Sequence, residues 1–282
     1  MYVNEKHKSS VFSKLFSNPD VLRELYSALS GVTIPADTLI DINTLSNVLI
    51  KGLINDVSFT IGNRLIVLIE HQSSINENMP LRLLLYITHV YEKIINRKKL
   101  YHKKRVKIPA PEFIVLYNGS APYPEQKEIK LSEAFMDIED LKLPENNKIC
   151  LELIVKVYNI NYGQNTPMLE RSVDLAGYSF FINKLREYQL EYSLEEAMEK
   201  AIKYCIEHNV LKEFLEENSS EVMNMLLEEW TLEDALVVER EEALEEGREA
   251  ILEIARKMKA GSRPLSEITE YTGLSPEVVE QL

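Results

Sequence analysis

Asp56, Glu70 and Gln72 are the residues of this 282-residue chain whose types and spacing best suit chemistry. Val57, Phe59 and Ile61 alternate with Asp56, Ser58 and Thr60, which predicts a strand with one apolar face. Gly62-Asn63-Arg64 reads as a turn, and residues 65–69 form a continuous apolar run suited to a central strand. If the turn is a three-residue loop, Val57 faces Ile69 and Phe59 faces Val67, so that apolar meets apolar. The same register sets Asp56 opposite Glu70 on the other face, with Gln72 two residues further along that face. Directly opposite Cβ atoms lie about 4.5–5.5 Å apart, near enough for two carboxylates to share one cation. A two-residue turn would shift the register and part them. Two carboxylates suit Mg²⁺, which takes a few hard oxygens and keeps several waters. Such an ion polarises a phosphoryl oxygen and lowers the pKa of an attacking water. The plainer alternative is a solvated face, with Asp56 paired to Lys51 or Arg64.

The elements that must position these residues follow from periodicity. Residues 10–29 read as an amphipathic helix, broken at Asn18-Pro19-Asp20, with Asn18 capping a second helix that starts at Pro19. Residues 39–54 are apolar but ambiguous between strand and short helix. Pro80 opens a helix that runs from Leu81 into the basic stretch near Arg97. Residues 112–117 and 151–158 read as further strands, the first closed by Asn118-Gly119. After Asn165 the spacing turns helical: 169–190, 193–208, 221–230, and a Glu-rich stretch over 232–258. Two short pieces, 264–271 and 276–282, flank Thr272-Gly273 in the manner of a small helix-turn-helix. The expectation is an α/β domain over 1–165 followed by an acidic all-α extension over 166–282.

Charge separates these parts. Residues 1–130 carry 17 Lys and Arg against 12 Asp and Glu, whereas residues 131–282 carry 15 against 33. The formal net charge of -13 therefore hides a basic first half. Lys93, Arg97, Lys98, Lys99, Lys103, Lys104, Arg105 and Lys107 put eight cations in fifteen positions with no acid among them. Such a run, set beside a metal site, suits a phosphate backbone; a solvated basic loop is the alternative. The five histidines and two cysteines have no zinc spacing, and there is no Gly-rich phosphate loop or nucleophile elbow. Cys150 and Cys205 read as reduced thiols, and no apolar run is long enough for a membrane span. These features point to a cytoplasmic protein with no membrane partner.

Residues 55–59, 65–73 and 76–86, with Pro111 to Gly119 and Ile268 to Ser275, resemble the Rpn family of recombination-promoting nucleases. These are also described as transposases, within the PD-(D/E)XK nuclease superfamily. The resemblance implies a restriction-endonuclease-like mixed sheet flanked by helices, with the metal at the edge of a central hairpin. It implies Mg²⁺, with Mn²⁺ as a substitute, held by Asp56, Glu70 and the backbone carbonyl of His71. Gln72 stands where the superfamily consensus has Lys, and an amide cannot bring a positive charge to the transition state. Glu24 on the first helix would be an outer acid, or else a surface helix residue. Arg82 and Tyr86 share one helical face and would border the site, with Arg82 on a phosphate or on a site carboxylate. Lys98, Lys99, Lys103 and Lys104 would hold DNA without regard to sequence. The implied activity is Mg²⁺-dependent hydrolysis of DNA phosphodiesters in recombination or transposition. The alternative is a non-catalytic DNA-binding accessory with a degenerate site, and the helical half is a candidate homo-oligomer contact.

Overall fold

Asn18 and Pro19 begin the fold's first clear boundary. The computed structural model describes residues 10–42, 56–137 and 150–282, except the side chains of 231–243 and 246. Helix α1 spans Val11–Leu15 and α2 spans Pro19–Ser30. The Asn18 side chain accepts the Asp20 amide, Pro19 fills the first turn, and Gly31 ends α2 at φ 72°. Three strands follow: β1 (Ile40–Ile42), β2 (Val57–Ile61) and β3 (Leu65–Gln72). Most of the ambiguous stretch 39–54 lies outside the described residues.

β2 and β3 pair antiparallel with Val57 opposite Ile69, Phe59 opposite Val67 and Ile61 opposite Leu65. The turn is thus the odd loop that the apolar pattern requires, with Asn63 in the left-handed region at φ 55°. Helix α3 (Met79–Ile94) carries the chain back along the sheet to β4 (Ala110–Tyr117). β4 lies parallel to β3, with Leu65 opposite Ala110 and Gln72 opposite Tyr117. Next come β5 (Gln126–Lys130) and β6 (Ile154–Asn159), and the sheet order is β1-β2-β3-β4-β6-β5. β6 runs parallel to β4 and antiparallel to β5. β5 was not foreseen: its sequence, QKEIK, buries only Ile129, which is too little apolar signal for a strand.

The sheet is buried on both faces. Ile66 and Leu68 of β3 join Phe113, Val115 and Tyr117 of β4 under Met79, Leu83 and Tyr86 of α3. Successive strand side chains alternate, so Val67, Ile69 and His71 face the other way. There the His71 ring stacks on Phe12 of α1 at 5.0 Å and meets Tyr178 edge-on at 5.3 Å. Tyr178 belongs to α5 (Val173–Gln189), which follows a short α4 (Thr166–Leu169) and precedes α6 (Leu194–Glu207).

The boundary expected at 165/166 falls where sheet gives way to helix. The compact units are Met1–Leu226 and Leu227–Leu282, because α5 buries Tyr178, Phe181 and Leu185 and so belongs with the sheet. The two helices expected over 221–258 are one, α7 (Lys212–Ala260); no proline or cap interrupts residues 221–258. In the second unit, Ala255 packs against Ile268 of α8 (Leu265–Thr272) and Val279 of α9 (Pro276–Gln281). The architecture is a mixed six-stranded sheet with helices, followed by a helical C-terminal region, consistent with a PD-(D/E)XK-like α/β fold.

Candidate active site

Glu70 is the penultimate outward step of β3 and is only 3% exposed. Its burial follows from its position: Ile66 and Leu68 precede it on the face that α3 covers. Burying a lone carboxylate is costly, and α3 supplies a partner. Arg82 Nη2 donates to Glu70 Oε2 at 3.4 Å and to the Tyr86 hydroxyl at 3.0 Å. The guanidinium carbon also stands 5.9 Å from the Tyr86 ring centre. Arg82 and Tyr86 thus act from one helical face, as their i,i+4 spacing predicts. The Tyr86 hydroxyl is held above its ordinary pKa, by burial first and by the charge of Glu70 next.

Asp56 lies one residue before β2, at the position that the hairpin register sets opposite Glu70. Its Oδ2 accepts the His71 backbone amide at 2.7 Å. Burial raises the Asp56 carboxyl to about 6, against the opposing pull of that amide and of the Arg82 charge. Arg82 feels both acids, so one guanidinium serves the pair. Gln72 points to the same face, where its Nε2 donates to Met79 Sδ at 2.7 Å.

The His71 side chain belongs to the opposite face. Tyr178 Oη lies 3.3 Å from its Nε2, and burial, with Arg186 nearby, lowers its pKa to about 4. The ring is therefore neutral at pH 7. The carboxylates of Asp56 and Glu70 offer hard oxygens, and the His71 ring is turned away from them. Among the described residues, no group of three or more His, Cys, Asp or Glu could hold a metal ion. A two-carboxylate centre still fits Mg²⁺, which binds through one or two carboxylates and keeps several waters. The raised Asp56 carboxyl fits as well, since a neighbouring divalent charge would favour its ionised form.

Other expected residues stand elsewhere. Glu24 Oε1 accepts the Val173 amide at 2.6 Å, so this carboxylate serves the first turn of α5, where orphan amides need acceptors. The basic run does not border the carboxylates. Ala110 pairs with Leu65, and the Ala110 amide donates to the Arg64 carbonyl at 2.8 Å. Residues 97–107 therefore approach the turn end of the hairpin. Five strand steps separate Leu65 from Glu70, about 17 Å at the usual rise.

Spacing alone missed the loop that closes the site end of β3. Gly119 lies so near Ser73 that an added Cβ would stand 1.9 Å from the Ser73 carbonyl oxygen. The Asn118 amide donates to the Gln72 carbonyl at 2.8 Å. Arg186 of α5 donates to the Asn118 carbonyl and, at 2.9 Å, to Asn161 Oδ1. Asn118-Gly119 was visible in the sequence as a turn. Arg186 carries no local signal, because helix packing brings it there from 68 residues away.

Residues 50–159 match the family model described as "Putative transposase, YhgA-like". That segment begins shortly before Asp56 and ends with the last residue of β6, so it contains both carboxylates, α3 and the Asn118-Gly119 loop. Neither the curated proteins nor the solved structures contain a match to the chain. Through the segment that builds the carboxylate pair, the chain is similar to the YhgA-like, or Rpn-like, putative transposase family.

Proposed function

We propose that the protein is a divalent-cation-dependent DNA endonuclease acting in recombination or transposition. The observation that carries this reading is the buried Glu70 with the half-buried Asp56 at neighbouring strand ends, Arg82 paired to the first and its charge felt by the second. Asp56, Glu70 and the main-chain carbonyl of His71 would hold Mg²⁺ or Mn²⁺, which supplies Lewis acidity to a phosphate and a lowered pKa to an attacking water. Glu70 is held in one orientation by Arg82, and Arg82 is held by Tyr86. The guanidinium is the fixed positive charge next to the acids, and it offsets the lack of the consensus lysine at Gln72. Its planar fork suits phosphate oxygens as well as carboxylates. Asp56 is oriented by the His71 amide, so His71 would act through its backbone, while its ring packs on Phe12 and meets the Tyr178 hydroxyl on the other face.

A second reading, a DNA-binding accessory without efficient turnover, draws support from Gln72, whose amide turns to the Met79 sulfur. Supercoiled-plasmid nicking in Mg²⁺, Mn²⁺ or EDTA separates the two. The enzyme reading expects cation-dependent nicking that is lost in Glu70→Gln at matched folding. Salt-sensitive DNA retention without cleavage under any cation supports the accessory instead. Gln72→Lys, if it alone cuts, assigns the loss to that position.

A further inference from the structure

We propose that the turn end of the sheet carries a docking surface for single-stranded DNA, separate from the carboxylates and centred on Tyr101. This deepens the DNA reading above by naming a second contact and the strand form it takes. The surface is an ordered piece of chain. Residues Arg97–Tyr101 form a 3-10 turn whose first amides are capped by Asn96: its side chain accepts from Lys98 at 3.0 Å and its carbonyl from Lys99 at 2.8 Å. Tyr91 Oη ties the following strand entry down by donating to the Pro109 carbonyl at 2.8 Å.

Charge and shape then point to one class of partner. Lys98, Lys99, Lys103 and Lys104 are all exposed, and none forms an ion pair among the described residues. Arg97 pairs with Glu92 at 2.9 Å, which offsets the charge of the acid that lines this surface. Amid these cations Tyr101 is 91% exposed and Leu100 58%. A purely solvated basic loop has no use for two large apolar side chains. With Ile95, Tyr91 and Arg97 they line a groove of about 300 Å³. A positive track beside an exposed ring is how sequence-indifferent proteins hold single strands: phosphates meet lysines and a base stacks on the ring. A duplex keeps its base faces inside the stack and has none to lay on the ring, although its phosphates can still meet the lysines.

The location gives the surface a role. Helix α3 starts beside Gln72, at Met79, and ends at Ile94, about 24 Å away for 16 residues. A strand held at Tyr101 would leave its flanking DNA free to reach the carboxylates.

The test is fluorescence anisotropy in EDTA, with labelled oligothymidine of about 20 nucleotides and a duplex of equal length. The single strand is expected to bind more tightly. Tyr101→Ala should weaken single-strand binding about fivefold and change duplex binding less than twofold. Tyr101→Phe should restore single-strand binding. Replacing the four lysines by Ala should weaken both ligands and lower the single-strand salt slope by up to about 3. Equal affinity for both DNA forms, or unchanged single-strand binding in Tyr101→Ala, overturns the proposal. Tighter binding of oligouridine than oligothymidine overturns it in favour of RNA. Tyr101 is exposed, so its removal leaves the fold intact. Because EDTA removes cations, a failure of nicking alone counts against the nuclease reading and leaves this surface standing.

Discussion

Asp56→Asn should stabilise the cation-free protein at neutral pH while abolishing its chemistry. The substitution keeps shape and retains an oxygen to accept the His71 amide. It removes a charge that burial disfavours. A carboxyl that titrates near 6 rather than its ordinary 3.8 costs the folded state about 3 kcal/mol once ionised, at about 1.4 kcal/mol per pH unit. The sign is fixed by proton counting. Between pH 3.8 and 6 the folded protein holds more protons than the unfolded chain, so stability falls as pH rises through that window and levels off above it. Asn has no proton to lose, so the variant lacks this fall. Weakening a charge-assisted bond to the amide returns about 1 kcal/mol. The net gain at pH 8 is about 2 kcal/mol, or about 4–8 °C in Tm for a unit of this size, and it vanishes below pH 4. Scanning calorimetry from pH 4 to 8 reads it directly. Mg²⁺ should raise the wild-type Tm and leave the variant unmoved. A variant that melts lower than wild type at pH 8, or shares its pH dependence, refutes the buried-charge argument. A Mg²⁺ response retained in the variant refutes Asp56 as a ligand.

Three further outcomes follow from the geometry. Gly119→Ala should cost about 1–3 kcal/mol in urea unfolding, because its Cβ would meet the Ser73 carbonyl at 1.9 Å, and no loss means that the loop shifts freely. Arg82→Lys keeps a charge but loses the fork that spans Glu70 and Tyr86, so plasmid nicking should fall about tenfold; unchanged nicking would demote Arg82 to packing. Glu24→Ala should cost about 1 kcal/mol of stability through the lost Val173 contact, with nicking intact, whereas lost nicking at matched folding would restore Glu24 as an outer acid.

The hairpin was legible because two local signals agree. Alternation at 57–61 marks one apolar face, and only an odd turn pairs that face with Val67 and Ile69. The Asp56 and Glu70 juxtaposition is a by-product of that agreement, and Arg82 with Tyr86 follows from helical spacing on the next element. Signals that depend on distant packing were silent. Nothing near Arg186 in the sequence says that it ends at the Asn118 carbonyl. Nothing near Glu24 says that the α5 amides lie within reach. Edge strand β5 was hidden for a different reason: one buried residue in five leaves no periodicity to read.

The position of the basic run was within reach of a topological argument that composition cannot make. Parallel neighbours joined through a helix must begin at the same end of the sheet, so the segment after α3 has to return to where β3 started. Carboxylates at the finish of β3 and cations ahead of β4 are therefore pushed apart by the length of the strands. Antiparallel pairing of the same segments would have put the cations beside the acids. The run that seemed to complete the site instead makes a second surface, and its exposed tyrosine has to be explained there on its own terms.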